Sequence, residues 1–244
     1  MNPFDLSGKT ILVTGASSGI GRQTAISLAS MGATAVITGR DEGRLKETFG
    51  QLGGTGHSYV AADLSGESGM DALAAAAPQL NGMAYCAGAV EYHPLKFLKR
   101  DKLETLFHIN SFAPTLLTGK LARAKKLERG ASLVFVSSIA SESGVPGTLA
   151  YASSKAALNA AVRVIASELA PQGIRANVIC PGIVQTPMNV TADRATDLAE
   201  AAKRYPLGPG QPEDVANAVI FHLSDASRWL TGNIMILDGG HTLI

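Results

Sequence analysis

The chain has 244 residues, 46% hydrophobic and 17% charged, with a formal net charge of +1. That length suits one α/β domain or two small ones, and one domain of this size buries roughly 70–75% of its unfolded surface without needing a disulfide or a metal. The even charge balance argues against a nucleic-acid partner or an anionic membrane surface, and no apolar run approaches the ~20 residues that cross a bilayer. Met1-Asn2-Pro3-Phe4-Asp5 lacks the basic and apolar regions of an export signal. Cys86 and Cys180 are therefore expected as free thiols in a cytoplasmic protein.

Short apolar runs alternate with longer helical stretches along the chain. Thr10-Ile11-Leu12-Val13 precedes a helical stretch over 19 to about 31, and Thr34-Ala35-Val36-Ile37 precedes one over 41 to about 52. The third run, His57-Ser58-Tyr59-Val60-Ala61, is less apolar. Gly82-Met83-Ala84-Tyr85, Ser132-Leu133-Val134-Phe135-Val136, Arg175-Ala176-Asn177-Val178-Ile179 and Asn233-Ile234-Met235-Ile236-Leu237 follow. Runs that are apolar on both faces and separated by helices predict a parallel sheet covered on both sides. Right-handed crossovers make that sheet doubly wound, an α/β fold that binds ligands at the carboxyl ends of its strands. The informative residues sit there.

Thr14-Gly15-Ala16-Ser17-Ser18-Gly19-Ile20-Gly21 follows the first run directly. Its glycines allow a tight strand-to-helix turn and a close backbone approach to a pyrophosphate, and the helix N-terminus adds N–H groups and a favourable dipole. Gly53-Gly54-Thr55-Gly56 precedes a strand instead, and reads as a plain turn. Further on, Tyr151 and Lys155 are four positions apart, one turn of a helix on one face. A free phenol has a pKa of about 10, and an adjacent ammonium is expected to lower it toward neutrality. Ser138, just past the fifth run, offers a hydroxyl to a substrate carbonyl.

With these motifs in this order, the chain resembles the short-chain dehydrogenase/reductase family, in its short form, and is similar to the 3-oxoacyl-acyl-carrier-protein reductases. The likeness runs from Gly8-Lys9 to Asp238-Gly239-Gly240. It implies a single Rossmann-type domain over 1–244, with a substrate lid at about 187–209. It also implies hydride transfer between a nicotinamide cofactor and a carbonyl or secondary alcohol.

By the resemblance, Tyr151 is general acid in reduction and base in oxidation, Lys155 holds the nicotinamide ribose, Ser138 orients the reacting oxygen and Asn110 positions a water on a proton relay. Cofactor contacts fall to Gly15, Ser17, Ser18, Gly19, Ile20 and Gly21 in the turn. They continue at Asp63-Leu64 for adenine, although Asp63 fits an Asx turn or helix cap as well. Ala87 and Gly88 would line the ribose, and Pro181-Gly182-Ile183-Val184-Gln185-Thr186 would meet the nicotinamide through the Val184 backbone and the Thr186 hydroxyl. At the end of the second run, Gly39 takes the position where NAD enzymes carry an acid, and Arg40 follows. A guanidinium there fits a 2′-phosphate, so NADP(H) is expected ahead of NAD(H), with Asp41 and Glu42 weighing against it. Cys86 is the visible departure, standing where the family usually has an Asn that supports the sheet.

Met188, Val190, Leu198 and Tyr205 are candidates to line the lid, or to pack it onto the body. Lys125, Lys126 and Arg129 read as a solvated basic face, with docking of an acyl carrier protein as the alternative. The five histidines are scattered without ligand spacing, so no catalytic metal is expected. Small residues along the Tyr151 helix, among them Ala156 and Ala160, suit a homo-oligomer, a dimer or tetramer. An NADP(H)-binding redox sensor and a nucleotide-sugar-modifying enzyme of the same fold are the alternatives. The sensor would have no need of Ser138, Tyr151 and Lys155 together, and the epimerase would be longer.

Overall fold

A computed structural model describes residues 2–188, 200 and 203–243. Seven parallel strands form one sheet in the order β3-β2-β1-β4-β5-β6-β7. They are β1 Thr10–Thr14, β2 Thr34–Gly39, β3 Ser58–Ala61, β4 Leu80–Tyr85, β5 Leu127–Val136, β6 Arg175–Pro181 and β7 Ile234–Leu237. The described helices that matter here are α1 Gly19–Ser30, α2 Glu42–Phe49, α3 Glu67–Ala76, α4 Arg100–Phe107, α5 Ala113–Arg123, α6 Leu149–Leu169 and α7 Pro212–Leu223.

Alternate side chains on each strand serve two separate cores. Leu12, Met83, Phe135 and Val178 pack toward α3, α5 and α6, while Ile11, Val13, Ala84, Val134 and Ile179 pack toward α1, α2 and α7. Both faces are covered, which is why the runs read as continuously apolar. The winding direction reverses between β1 and β4, and the cleft at their carboxyl ends is where such sheets bind ligands.

Two elements differ from expectation. β5 begins at Leu127, five residues ahead of Ser132, through exposed Glu128-Arg129-Gly130. Gly130 takes φ +79° and the β4–β5 register shifts between Leu80 and Gly82, so this polar stretch reads as a loop although it pairs. The basic cluster is split as a result: Arg129 lies in the strand and the Lys126 ammonium donates to the Ala77 carbonyl at 2.6 Å. Between α4 and α5, His108–Phe112 is a π-helical turn. Pro114 has no N–H to give to the Asn110 carbonyl, so the α-helical ladder is interrupted at that residue.

His222 is the conspicuous polar group of the core. It is fully buried in α7, and neither ring nitrogen has a hydrogen-bond partner. Burial, helped by the Arg175 guanidinium, pulls its pKa down from 6.5 to about 4. The unfolded chain therefore binds the proton more readily, and stability present above pH 6.5 is lost as the pH falls toward 4. His222→Leu should flatten that acid arm, so the gap between melting temperatures at pH 7.5 and 4.5 should narrow against wild type. An unchanged gap would show that other groups govern acid unfolding.

Candidate active site

The turn after β1 is shaped by crowding. A Cβ on Gly15, whose φ is +66°, would lie 2.8 Å from the Ala87 nitrogen, and one on Gly21 would run into the Gly15 carbonyl. A Cβ on Gly19 would press on Thr186 at 3.2 Å. The Thr14 hydroxyl oxygen accepts from the N–H groups of both Cys86 and Ala87 at 3.1 Å, tying β1 to the end of β4. Cys86, which stands where the family usually has an Asn, is joined to β1 through its backbone N–H. Ser18 enters α1 extended, no side chain caps that helix, and no acid occupies its first turn. Its free N–H groups and positive dipole end suit a pyrophosphate, and the glycines leave it room, so the residues present fit a dinucleotide.

Gly15, Ser17, Ser18, Gly19, Ile20 and Gly21 open onto a cavity of about 1050 Å³. One end is formed by Arg40, Asp63 and Leu64, together with Arg44, which sequence reasoning missed. Asp41 spends one carboxylate oxygen on the Arg44 N–H at 3.0 Å and the other on its guanidinium at 2.7 Å, and Glu42 pairs with Lys46 at 2.9 Å. The i,i+3 spacing of Asp41 and Arg44 at a helix start was the available signal. Arg40 is exposed and makes no ion pair with a described residue, but it acts on Asp63. The Ser65 N–H and hydroxyl, and then Arg40, hold the Asp63 carboxyl below its ordinary value. Asp63 also makes the Asx turn, accepting from the Ser65 N–H at 2.9 Å.

Ser138, Tyr151 and Lys155 line the same cavity, with Ala87 and Gly88 beside them. Ser138 follows β5 in extended conformation and accepts from the Ala140 N–H at 3.1 Å. Behind it, the Asn159 amide donates to Ser141 Oγ at 2.9 Å, and Ser141 donates to the Ser138 carbonyl at 2.7 Å. The Lys155 ammonium is buried, donates to the Val136 carbonyl at 2.9 Å, and stands 5.9 Å from the Tyr151 ring centre. A Cβ on Gly88 would reach it at 3.4 Å. Asn110 does not line the cavity. Its buried side chain clamps Ala89, accepting from that N–H at 3.0 Å and donating to its carbonyl at 2.9 Å, and also donates to Ser154 Oγ at 3.1 Å.

The expected lowering of the tyrosine pKa is not what this environment produces. Burial pushes the Tyr151 phenol up to about 12, against the opposing pull of the Ser138 hydroxyl. Burial likewise brings the Lys155 ammonium down from 10.5 to about 8. Desolvation governs both groups, and the Lys155 ammonium is turned to the Val136 carbonyl. Burial also pushes the Cys86 thiol up to about 12.

Pro181, Gly182, Val184 and Thr186 form the wall after β6. Gln185 donates to the Gly210 carbonyl at 2.9 Å, and the Tyr205 hydroxyl accepts from the Ile183 N–H at 3.1 Å. A Cβ on Gly182 would meet the Tyr205 ring at 2.5 Å, so Tyr205 packs onto the body. Met188 is exposed on the cavity, while Val190 and Leu198 lie outside the described residues. Tyr92, Arg204 and His241 also line the cavity, and no motif pointed to them. Among the described residues, no cluster could hold a metal ion, and no helix is long and apolar enough to cross a membrane.

A glycine turn and a Ser–Tyr–Lys group on one cleft of a doubly wound parallel sheet define a nicotinamide-dependent oxidoreductase. A family model described as enoyl-(acyl carrier protein) reductase matches residues 15–242. The chain is 31% identical to 3-oxoacyl-[acyl-carrier-protein] reductase of Rickettsia felis, over 99% of this chain and 100% of that one. It is 35% identical to L-rhamnose 1-dehydrogenase (NAD(P)(+)) of Azotobacter vinelandii, over 96% and 97%. A solved structure provisionally assigned as an NAD(P)-dependent gluconate 5-dehydrogenase from Beutenbergia cavernae, with NADP bound at low occupancy, superposes with TM-score 0.91 at 32% identity, covering both chains fully (100% each). The chain belongs to the short-chain dehydrogenase/reductase family and is an NAD(P)-dependent enzyme acting on CH–OH and carbonyl groups.

The site is held at a cost to stability. At pH 7 both folded and unfolded Lys155 are charged, so the folded state bears the penalty of burying the ammonium, relieved as the pH rises from about 8 to 10.5. Lys155→Met should raise thermal stability at pH 7 by about 1–2 kcal/mol, a few degrees in Tm, while turnover collapses. A calorimetric Tm equal to or below wild type would show that the Val136 contact outweighs desolvation.

Proposed function

We propose that the enzyme moves a hydride between NADP(H) and a small carbonyl or secondary alcohol, with Tyr151, Ser138 and Lys155 managing the proton and the reacting oxygen. The observation that carries this is their convergence on the cavity that the glycine turn and Arg40 also line. The cofactor, held by the turn, Ala87, Gly88 and the 181–186 wall, supplies the hydride. Tyr151 supplies or takes the proton at its hydroxyl. Burial keeps that phenol protonated at neutral pH, so it enters a reduction with its proton ready to give. Ser138, braced through Ser141 by Asn159, presents its hydroxyl to the same substrate oxygen. Lys155 stands beside the ribose position at Gly88 and stabilises charge as it develops on Tyr151. Asn110 holds Ala89 and the π-turn rather than reaching the reacting atoms itself.

Cofactor choice follows from charge. Asp41 and Glu42, the acids that would repel a 2′-phosphate, are both committed to cations, while Arg40 has no partner among the described carboxylates. A Cβ on Gly39 would lie 3.2 Å from Ser17 Oγ, so the acid of NAD enzymes has little room there. The NADP bound in the Beutenbergia cavernae structure supports this reading.

A second copy of the chain fits the outer face of α5 and α6. Phe112 and Leu116 on one side and Leu149 and Val164 on the other are 42–57% exposed large apolar residues, with Ala160 exposed between the last two. Such a patch marks an interface. Light scattering at micromolar concentration should give a dimer or tetramer, and Val164→Glu should weaken it. A wild-type monomer would overturn this part.

Tyr151→Phe keeps the ring and removes the transferable proton. Turnover of any accepted carbonyl should fall about 10²–10⁴-fold or more, with NADPH affinity, read by fluorescence, nearly unchanged. Arg40→Ala should weaken NADPH by ~10–100-fold and NADH far less. Near-wild-type turnover in folded Tyr151→Phe would remove the mechanism, and equal losses of both cofactors in Arg40→Ala would remove the NADP preference.

A further inference from the structure

Resting on the carbonyl–alcohol reading above, we infer that the substrate carries an anionic group, a carboxylate or a phosphate, received by Arg204 and His241. Among the described residues, acidic side chains are confined to one end of the cavity, where Arg40 and Arg44 accompany them. Its described acidic lining residues are Asp41 and Asp63, both at the end formed by the turns after β2 and β3. The part lined from β4, β5 and β6 onward carries no described acid: Tyr92, Val145 and Met188 are uncharged, the Lys155 ammonium sits at the reacting end, and Arg204 and His241 add two further basic side chains.

These two are fixed by the body of the fold. Tyr205 accepts from the Ile183 N–H and stacks on the His241 ring with centroids 4.4 Å apart and planes inclined by 13°, and the His241 Nδ1 lies 3.4 Å from the Arg204 carbonyl oxygen. Leu207 donates to the Gly239 carbonyl at 3.1 Å, closing the segment onto the end of β7. Tyr92 lines the cavity together with Tyr151 and Tyr205.

The Arg204 guanidinium makes no ion pair with a described residue, although neighbouring Lys203 pairs with Glu200 at 2.6 Å. The nearby Asp238 carboxylate accepts from the N–H groups of Gly240 and Thr242 at 3.0 and 2.8 Å and also feels His241, which leaves Arg204 as the main receiver of an anion. A guanidinium with no ion pair among the described residues, on the lining of a largely apolar cavity, gains most from an anion, which it can hold in two parallel hydrogen bonds. A neutral ketone leaves it hydrated and unused.

The test is NADPH oxidation by the purified enzyme with matched pairs: 5-oxohexanoate against its methyl ester, and acetoacetyl-coenzyme A against the N-acetylcysteamine thioester. The inference expects the anion of a pair to be favoured in kcat/KM by ~10-fold or more, with the advantage shrinking as salt is added. Preference within the first pair assigns the corner to a carboxylate, and within the second pair alone to a phosphate. Arg204→Gln should cut the anion's advantage, through KM rather than kcat. Equal or better use of the neutral member by wild type, or equal losses for both members in Arg204→Gln, overturns the inference. If no member turns over, the anions are titrated calorimetrically into the enzyme–NADPH complex. NADPH binding without anion binding overturns the anionic substrate alone, whereas failure to bind NADPH overturns the parent reading.

Discussion

The structure turns on a lack of space where β1 and β4 part. Gly15 and Gly21 leave no room for a side-chain carbon, and Thr14 draws the first N–H groups beyond β4 onto its hydroxyl. This contact fixes the origin of the cleft, the start of α1 and the placement of Ala87 and Gly88 at once. A parallel sheet diverges at such a reversal, and the backbone there must be close-packed for the opening above it to take a ligand. The remaining parts of the site are hung from strand ends whose register this point sets.

The second governing balance is between burial and charge. The reacting end encloses an ammonium and a phenol that both resist ionisation, the one drawn down and the other pushed up. At neutral pH the ammonium keeps its charge and the phenol its proton, so the fold bears the cost of one buried charge at this end of the cavity. His222 obeys the same rule without any chemistry: a polar ring lodged in the second core, unpartnered, tolerable only while neutral.

The architecture was legible because the strands are covered on both faces and their apolar runs are therefore unbroken, and the glycine turn was legible because crowding leaves only glycine there. Ser138, Tyr151 and Lys155 were readable as a spacing pattern, and they do share one cavity. Illegible features depended on contacts distant in sequence or on local polarity. The early part of β5 is polar and looks like a loop, and the π-turn at Asn110 shows only as a proline four residues later. Asn110 clamps Ala89 in the cavity wall with its Oδ1 beside Gly88, an arrangement no spacing encodes. The rise of the Tyr151 pKa came from desolvation, which a four-residue interval does not reveal. Arg204 and His241 are far apart in sequence and meet where the His241 Nδ1 lies 3.4 Å from the Arg204 carbonyl oxygen.

Arg22 has a bearing on how this protein could be rebuilt. Its guanidinium donates to the Ser17 carbonyl at 2.8 Å, to Thr48 Oγ1 at 3.0 Å and to Glu47 at 3.1 Å, while Thr48 Oγ1 donates to the Ala16 carbonyl at 2.8 Å. The outer helix α2 is thus bolted to the underside of the glycine turn. Transplanting a cofactor preference from a relative means moving the stretch from Gly39 through Thr48 as one cassette, together with whatever residue faces it at position 22. An exchange confined to Arg40 would leave a foreign charge pattern on a native fastening, and the turn above would feel the mismatch.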